Sequence, residues 1–203
     1  MTRPLGLGAA MMPDDAAWVR VMAPQSAAVL IAWCQADAAR LLRLNPLYEI
    51  DSFIDGRLVG RNLSNGLALD TVVSVTLLPD GLRLTYADGL KASTSFRVEP
   101  RGEDGADLVI TDDYSRVAPD QREARLAEVD RSLIPWGNAL YRHLRQRRRW
   151  GWLALWRWWM ARVWLPMTPK ARRITTLVTL ITLAEFVAFL MVFTIFWLET
   201  QAG

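Results

Sequence analysis

The spacing of hydrophobic positions changes several times along this chain, and each change predicts a different element. From Ala17 to Met22 the pattern alternates well enough for a short strand, which Ala23-Pro24 ends. Gln25 to Cys34 then carries Val29, Leu30 and Trp33 at helical spacing, with Ser26 near the start as a cap. A second short helix, Asp37 to Leu44, is capped by Asp37 and stopped by Asn45-Pro46. Beyond Pro46 the period falls to two. Leu47 to Ile54, Leu58 to Ser64, Thr71 to Leu78 and Leu82 to Tyr86 are followed by Asp55-Gly56, Asn65-Gly66, Asp80-Gly81 and Asp88-Gly89, pairs that supply the left-handed positions of tight hairpins. Leu90 to Glu99 and Asp107 to Ser115 continue the meander, giving one strand before the helices and six after.

Alternation also assigns faces. Leu82, Leu84 and Tyr86 share one side; Ala92, Thr94, Phe96 and Val98 oppose Lys91, Ser93, Ser95 and Arg97; Leu108, Ile110, Asp112 and Tyr114 fall together. A sheet with one solvated face needs a cover on the other. The cover expected is a helix from Pro119 to about Arg149, where Leu126, Val129, Leu133, Trp136, Leu140 and Leu144 recur at steps of three or four. Pro135 within it predicts a kink.

Strand, two helices, six strands and one long helix is the order of the helix-grip fold. On that order, and on the run VMAPQSAAVLIAWCQADAARLLRLNPLYEI, the stretch Ala17 to Arg149 resembles the START/polyketide-cyclase-like (SRPBCC) superfamily. The resemblance implies an α+β domain in which an antiparallel, curved, seven-stranded sheet wraps a long C-terminal helix. It also implies an apolar cavity for lipids, sterols, quinones, polyketides or pigments. Residues 1–16 are expected to form a flexible arm, and the segments after Arg149 depart from the simple family pattern.

Those segments point to a membrane. Ile174 to Leu198 contains one ionisable residue, Glu185, and no Gly or Pro; as a helix it is about 37 Å long, enough to cross a hydrocarbon core of about 30 Å. Before it, Trp150 to Trp164 holds six of the ten tryptophans. That stretch is too short to span, and its interleaved Trp and Arg predict an in-plane interfacial helix over 150–165, with packing against the domain or a partner as the alternative. A charge at Glu185 in mid-span costs at least ~2.5 kcal/mol, so the residue is expected to be neutral or paired with another chain.

Charge is segregated to match. Of the residues making up the net +3, positions 1–130 hold 13 Arg/Lys and 19 Asp/Glu, a net of −6, whereas 131–184 hold 11 Arg/Lys and no acid. The membrane-facing set read from this belt is Arg147, Arg148, Arg149, Trp150, Trp152, Trp156, Arg157, Trp158, Trp159, Arg162, Trp164, Lys170, Arg172 and Arg173. Anionic headgroups are the expected partner, with the domain cytoplasmic and the C-terminus opposite. The N-terminal stretch has no apolar run suited to a signal sequence, and the lone Cys34 fits a reducing compartment. RQRRR at Arg145 to Arg149 has no nucleic-acid recognition motif beside it, so nucleic acid is not an expected partner.

Candidate chemistry is sparse. His143 is the only histidine and is expected to face headgroups or solvent; Cys34 reads as a core thiol; neither metal nor cofactor is expected. The cavity candidates are Glu49, Asp51, Tyr86, Phe96, Asp112, Tyr114 and Trp136, whose carboxylates would act as acid or base only if buried. A membrane-tethered binder of a hydrophobic ligand is the first functional expectation. An accessory subunit joined to a membrane partner through Glu185 is the second, and a cyclase-like enzyme the third.

Overall fold

The computed structural model describes residues 16–102 and 105–202; the arm expected over 1–16 lies outside them except for Ala16, which opens the first strand. Seven strands form one antiparallel sheet: β1 (Ala16–Ala23), β2 (Tyr48–Ile54), β3 (Arg57–Asn62), β4 (Ala68–Leu78), β5 (Gly81–Tyr86), β6 (Ser93–Arg101) and β7 (Gly105–Asp113). Their order is β1-β7-β6-β5-β4-β3-β2. The chain therefore leaves one edge of the sheet, crosses to the other through α1 (Ala27–Ala36) and α2 (Ala38–Arg43), and meanders back until β7 pairs with β1. This is the helix-grip topology expected from the element order.

The inner faces read from alternation in β5, β6 and β7 are the faces seen, whereas Lys91, read on the solvent side, is buried. Phe96 lies opposite Leu82 on one neighbour and Ile110 on the other, and all three are fully buried. Thr94 stands opposite both Leu84 and Asp112, which carries a carboxylate onto the inner face. Two hairpin glycines are used differently. Asp55 and Gly56 both take positive φ, 50° and 79°, as a two-residue type I′ turn requires. At Asp80-Gly81 the constraint is proximity instead, since a Cβ on Gly81 would fall 1.9 Å from the Phe96 carbonyl oxygen.

On the inner face, α1 buries Leu30, Trp33 and Cys34, and α2 buries Leu41 and Leu42. Asp37 caps α2 as expected, accepting from the Arg40 backbone N–H at 3.0 Å. Ser26 occupies the cap position of α1, but its side chain makes no capping bond. The helix expected over Pro119–Arg149 is instead three pieces: α3 (Pro119–Ala124), a 3₁₀ turn (Leu126–Glu128) and α4 (Leu133–Trp150). Pro135 does not kink it. It is the third residue of α4, inside the first turn, where backbone N–H groups have no intrahelical partner to lose.

Trp136 of α4 is fully buried, meets Phe96 edge-on at 5.2 Å, and donates its indole N–H to the Leu41 carbonyl at 2.9 Å. With Leu140, Leu144, Leu108 and Leu30 it fills the space between sheet and helix where the resemblance implies a cavity. Burying each such side chain stabilises the fold by about 1.5–3 kcal/mol.

After Gly151 come α5 (Ala154–Trp159), a π-helical turn (Met160–Trp164) and α6 (Pro169–Ala202). The stretch expected as one in-plane helix is thus broken, and it is two-sided. Met160 and Leu165 are buried against the domain, whereas Trp152, Leu155 and Trp158 are exposed. The alternative of packing on the domain is realised for one face only. Among the described residues α6 is the one helix long and apolar enough to cross a membrane, with a mean hydropathy of 2.3 over its best window and none of that window buried.

Candidate functional site

The polar side chains that the fold draws inward converge at one end of the sheet. Lys91 lies in the irregular link between β5 and β6, two residues before the β6 ladder begins, so the alternation that places it on the solvent face does not govern it. Its side chain turns in and is buried. Its Nζ donates to Asp130 Oδ2 at 2.7 Å, to the Tyr48 hydroxyl at 3.0 Å and to Asp112 Oδ2 at 3.3 Å, which uses all three of its donors. The ammonium also lies 5.4 Å from the Tyr86 ring centre and 5.6 Å from that of Tyr48.

The rest of the network is satisfied in turn. Tyr48 donates its hydroxyl to Asp130 Oδ2 at 2.5 Å, and Thr94 donates to Asp112 Oδ1 at 2.5 Å. That leaves the Thr94 oxygen to accept from Tyr86, 3.2 Å away. Asp130 Oδ1 accepts from Ser64 Oγ and from the Ser132 backbone N–H, and Ser132 Oγ accepts from Asn45 Nδ2 at 2.7 Å. One polar chain therefore joins the α2–β2 turn, the start of α4, and β6 and β7. The hydroxyl with most capacity left is Tyr114, whose contact to the Asp130 carbonyl is 3.5 Å.

Electrostatics sort the two carboxylates. Burial pushes Asp130 up, but Lys91, Tyr48 and Ser132 together outweigh it and hold its carboxyl well below the usual range. Asp112 is fully buried, and burial pushes it up against the opposing pull of Lys91 and Thr94. Burial would neutralise Lys91, yet Asp112, Tyr48, Tyr86 and Asp130 keep it charged and raise it well above an ordinary lysine. The tyrosines stay protonated: burial raises Tyr48 and Tyr86.

Above this network lies a pocket of about 140 Å³. Tyr48, Tyr86, Lys91, Tyr114 and Asp130 form its polar wall, and Leu58, Leu67, Leu69 and Leu90 its apolar one. It is smaller than the roughly 300–1,000 Å³ that enclose a drug-sized ligand. Its volume is on the scale of a single ring or head group.

The cavity candidates separate accordingly. Tyr86, Asp112 and Tyr114 join the network, whereas Phe96 and Trp136 are core. Glu49 and Asp51 do not turn inward: Tyr48 takes the inner phase of β2, and a register shift between Ile50 and Ser52 leaves Asp51 exposed while Ile50 and Phe53 pack on the core. Alternation alone pointed to Asp112. Lys91, Asp130 and Tyr48 were missed, since two of them sit in irregular segments and the third was read only as part of a strand.

The other sequence candidates also find places. Cys34 is a core thiol, with burial pushing it up to about 12. His143 is not solvent-facing: it is 6% exposed, stacked on Trp33 at 5.6 Å and Trp156 at 6.0 Å, and burial lowers it to about 4, with Arg40, Arg147 and Arg172 adding to the shift. Among the basic and aromatic set, Arg148, Arg149, Trp150, Trp152, Arg157, Trp158, Trp159, Arg162, Lys170 and Arg173 are exposed, and Arg147, Trp156 and Trp164 are half-buried. Arg172 is committed to the fold instead, donating to the carbonyls of Arg43, Trp164 and Leu165 at 2.8, 3.0 and 2.8 Å. Glu185 is exposed on α6. Among the described residues no group of three or more His, Cys, Asp and Glu side chains could hold a metal ion.

No protein-family model matches the chain, and no curated protein does. Among solved structures, the Zhui aromatase/cyclase from Streptomyces sp. R1128 aligns over 66% of this chain and 95% of its own, at 20% identity and a TM-score of 0.47. A START superfamily protein from Mycobacterium smegmatis aligns over 64% and 97%, at 16% identity and a TM-score of 0.44. A polyketide-cyclase-like protein from Corynebacterium glutamicum aligns over 83% and 96%, at 17% identity and a TM-score of 0.32. These descriptions are the ones the sequence resemblance names. At such identities and scores the fold assignment rests on the strand order and the placement of α1, α2 and α4, and no activity is carried over.

Proposed function

We propose that this chain is a membrane-anchored binding protein, whose helix-grip domain receives the end of an apolar ligand in the Tyr48–Lys91–Asp130 pocket at the cytoplasmic face of a bilayer. The observation that carries this reading is the pocket's mixed lining, in which the internally satisfied network of Lys91 and Asp130 shares the wall with four leucines and with polar groups such as Asn62 and Asn65. Such a wall suits a ligand with one oxygen-bearing end and an apolar body, the chemistry of a quinone, a lipid or a pigment. The small volume supports partial enclosure, with the rest of the ligand outside the domain. The basic belt supports a cytoplasmic domain, because cations beside a span are retained on that side.

Binding is favoured over catalysis by the use already made of each reactive group. Lys91 has no spare donor, and Asp130 accepts at both oxygens. Organic extraction of the purified full chain, followed by mass spectrometry, tests the reading. One apolar molecule per chain is expected; repeated recovery of an empty chain that takes up no added quinone or fatty acid would refute it. The second reading, an accessory subunit of a membrane complex, draws on the exposed Glu185 in the apolar helix and on the filled interior. Glu185→Leu would then abolish co-migration with a partner after gentle solubilisation.

A further inference from the structure

The larger concavity of the molecule is not the Lys91 pocket but a groove of about 750 Å³ between α4 and the start of α6. Arg142 from α4 and Arg172 and Arg173 from α6 line it, with Met160, Trp164 and Leu47 among the apolar groups and no carboxylate on its wall. Arg172 is occupied by the three carbonyls it anchors. Arg142 and Arg173 are exposed, and the one bond made by Arg142 is to the Asn138 carbonyl of its own helix, at 3.3 Å.

A second observation concerns α6 itself. The first five residues, Pro169 to Arg173, include Lys170, Arg172 and Arg173 and no acid. A helix N-terminus carries the positive end of the macrodipole, so three cations there repel it as well as one another. Among the described residues no carboxylate of the first turn of α6 or of the groove wall offsets them. The groove lies at that end of the helix, where the apolar span begins and where the exposed tryptophans of residues 150–159 mark an interfacial level.

We infer that the groove between α4 and α6 binds an anionic phospholipid, its phosphate held by Arg142 and Arg173, and its acyl chains running beside the span. This rests on the membrane-anchored reading above. The phosphate neutralises the crowded cations and accepts from guanidinium groups in charge-assisted bonds. A bound lipid of this kind orients the domain on the bilayer and keeps the Lys91 pocket at a fixed height above it.

The test uses the full chain in nanodiscs of phosphatidylcholine containing one part in five phosphatidylglycerol, released into mild detergent and weighed by native mass spectrometry. The wild type is expected to retain one phosphatidylglycerol. In Arg142→Gln/Arg173→Gln, which removes two exposed cations without breaking an ion pair, the lipid-bound fraction falls about tenfold, the scale of losing one or two charge-assisted bonds. Arg83→Gln/Arg145→Gln, which also removes two exposed cations but outside the groove, retains the lipid. Equal retention by wild type and groove variant, or equal loss from the control, overturns the inference. Failure of every variant and the wild type to enter these nanodiscs, or nanodiscs of phosphatidylcholine alone, would instead refute the membrane reading, and the lipid site with it.

Discussion

Lys91 Nζ and Asp130 Oδ2 stand 2.7 Å apart, joining the link before β6 to the segment that leads into α4. Neither residue lies in a regular element, and between them they hold the polar wall of the pocket. Asp130→Ala removes the nearest partner of a buried cation and should cost about 3–5 kcal/mol of stability, the penalty for breaking rather than replacing a buried pair. Denaturant unfolding of the full chain in detergent checks it. A loss below about 1 kcal/mol would mean that water reaches Lys91 freely.

His143 predicts an acid-sensitive fold. Its imidazole titrates at about 4 when folded against 6.5 ordinarily, so the unfolded chain binds a proton that the folded one refuses. The stability this contributes is present above 6.5 and is lost as pH falls from 6.5 toward 4, up to about 3 kcal/mol for a shift of this size. Thermal unfolding at pH 7 and at pH 4.5 measures the loss. His143→Phe, which keeps a ring between Trp33 and Trp156, should remove most of this slope.

Arg172 fixes the geometry between α6 and the domain through the carbonyls of Arg43, Trp164 and Leu165. Arg172→Lys replaces a planar fork by a point charge and cannot hold three divergent acceptors in the same way. Distance distributions between a spin label on α6 and one on β4 should broaden in this variant while the domain's own unfolding midpoint changes little. Unchanged distributions would show that the apolar contacts of Met160 and Leu165 suffice.

The fold was legible in the sequence because its signals are local and repeated. Asp55-Gly56, the period-two runs from Tyr48 to Asp113 and the Asp37 cap each act over a few residues, and the order of elements then determines the grip topology. The Pro135 kink failed since a proline's effect depends on how far it lies from the helix start, which periodicity does not locate. The site was half legible. Asp112 follows from alternation, but Lys91 and Asp130 lie where no period applies, and their burial depends on each other. His143 was misplaced for a similar reason: Trp156, which covers it, comes from the segment read as lying in the membrane surface.

The central claim, that the domain holds the end of an apolar ligand beside Lys91, is tested most directly by filling the pocket. Leu69→Trp places a large ring against the leucine wall without touching the polar network. Ligand occupancy, measured by mass spectrometry of organic extracts from wild type and variant purified in parallel, should fall from about one molecule per chain to below about one in ten if the indole takes the ligand's place. Equal recovery of the same molecule from both proteins would contradict the claim and move the binding site elsewhere on the chain.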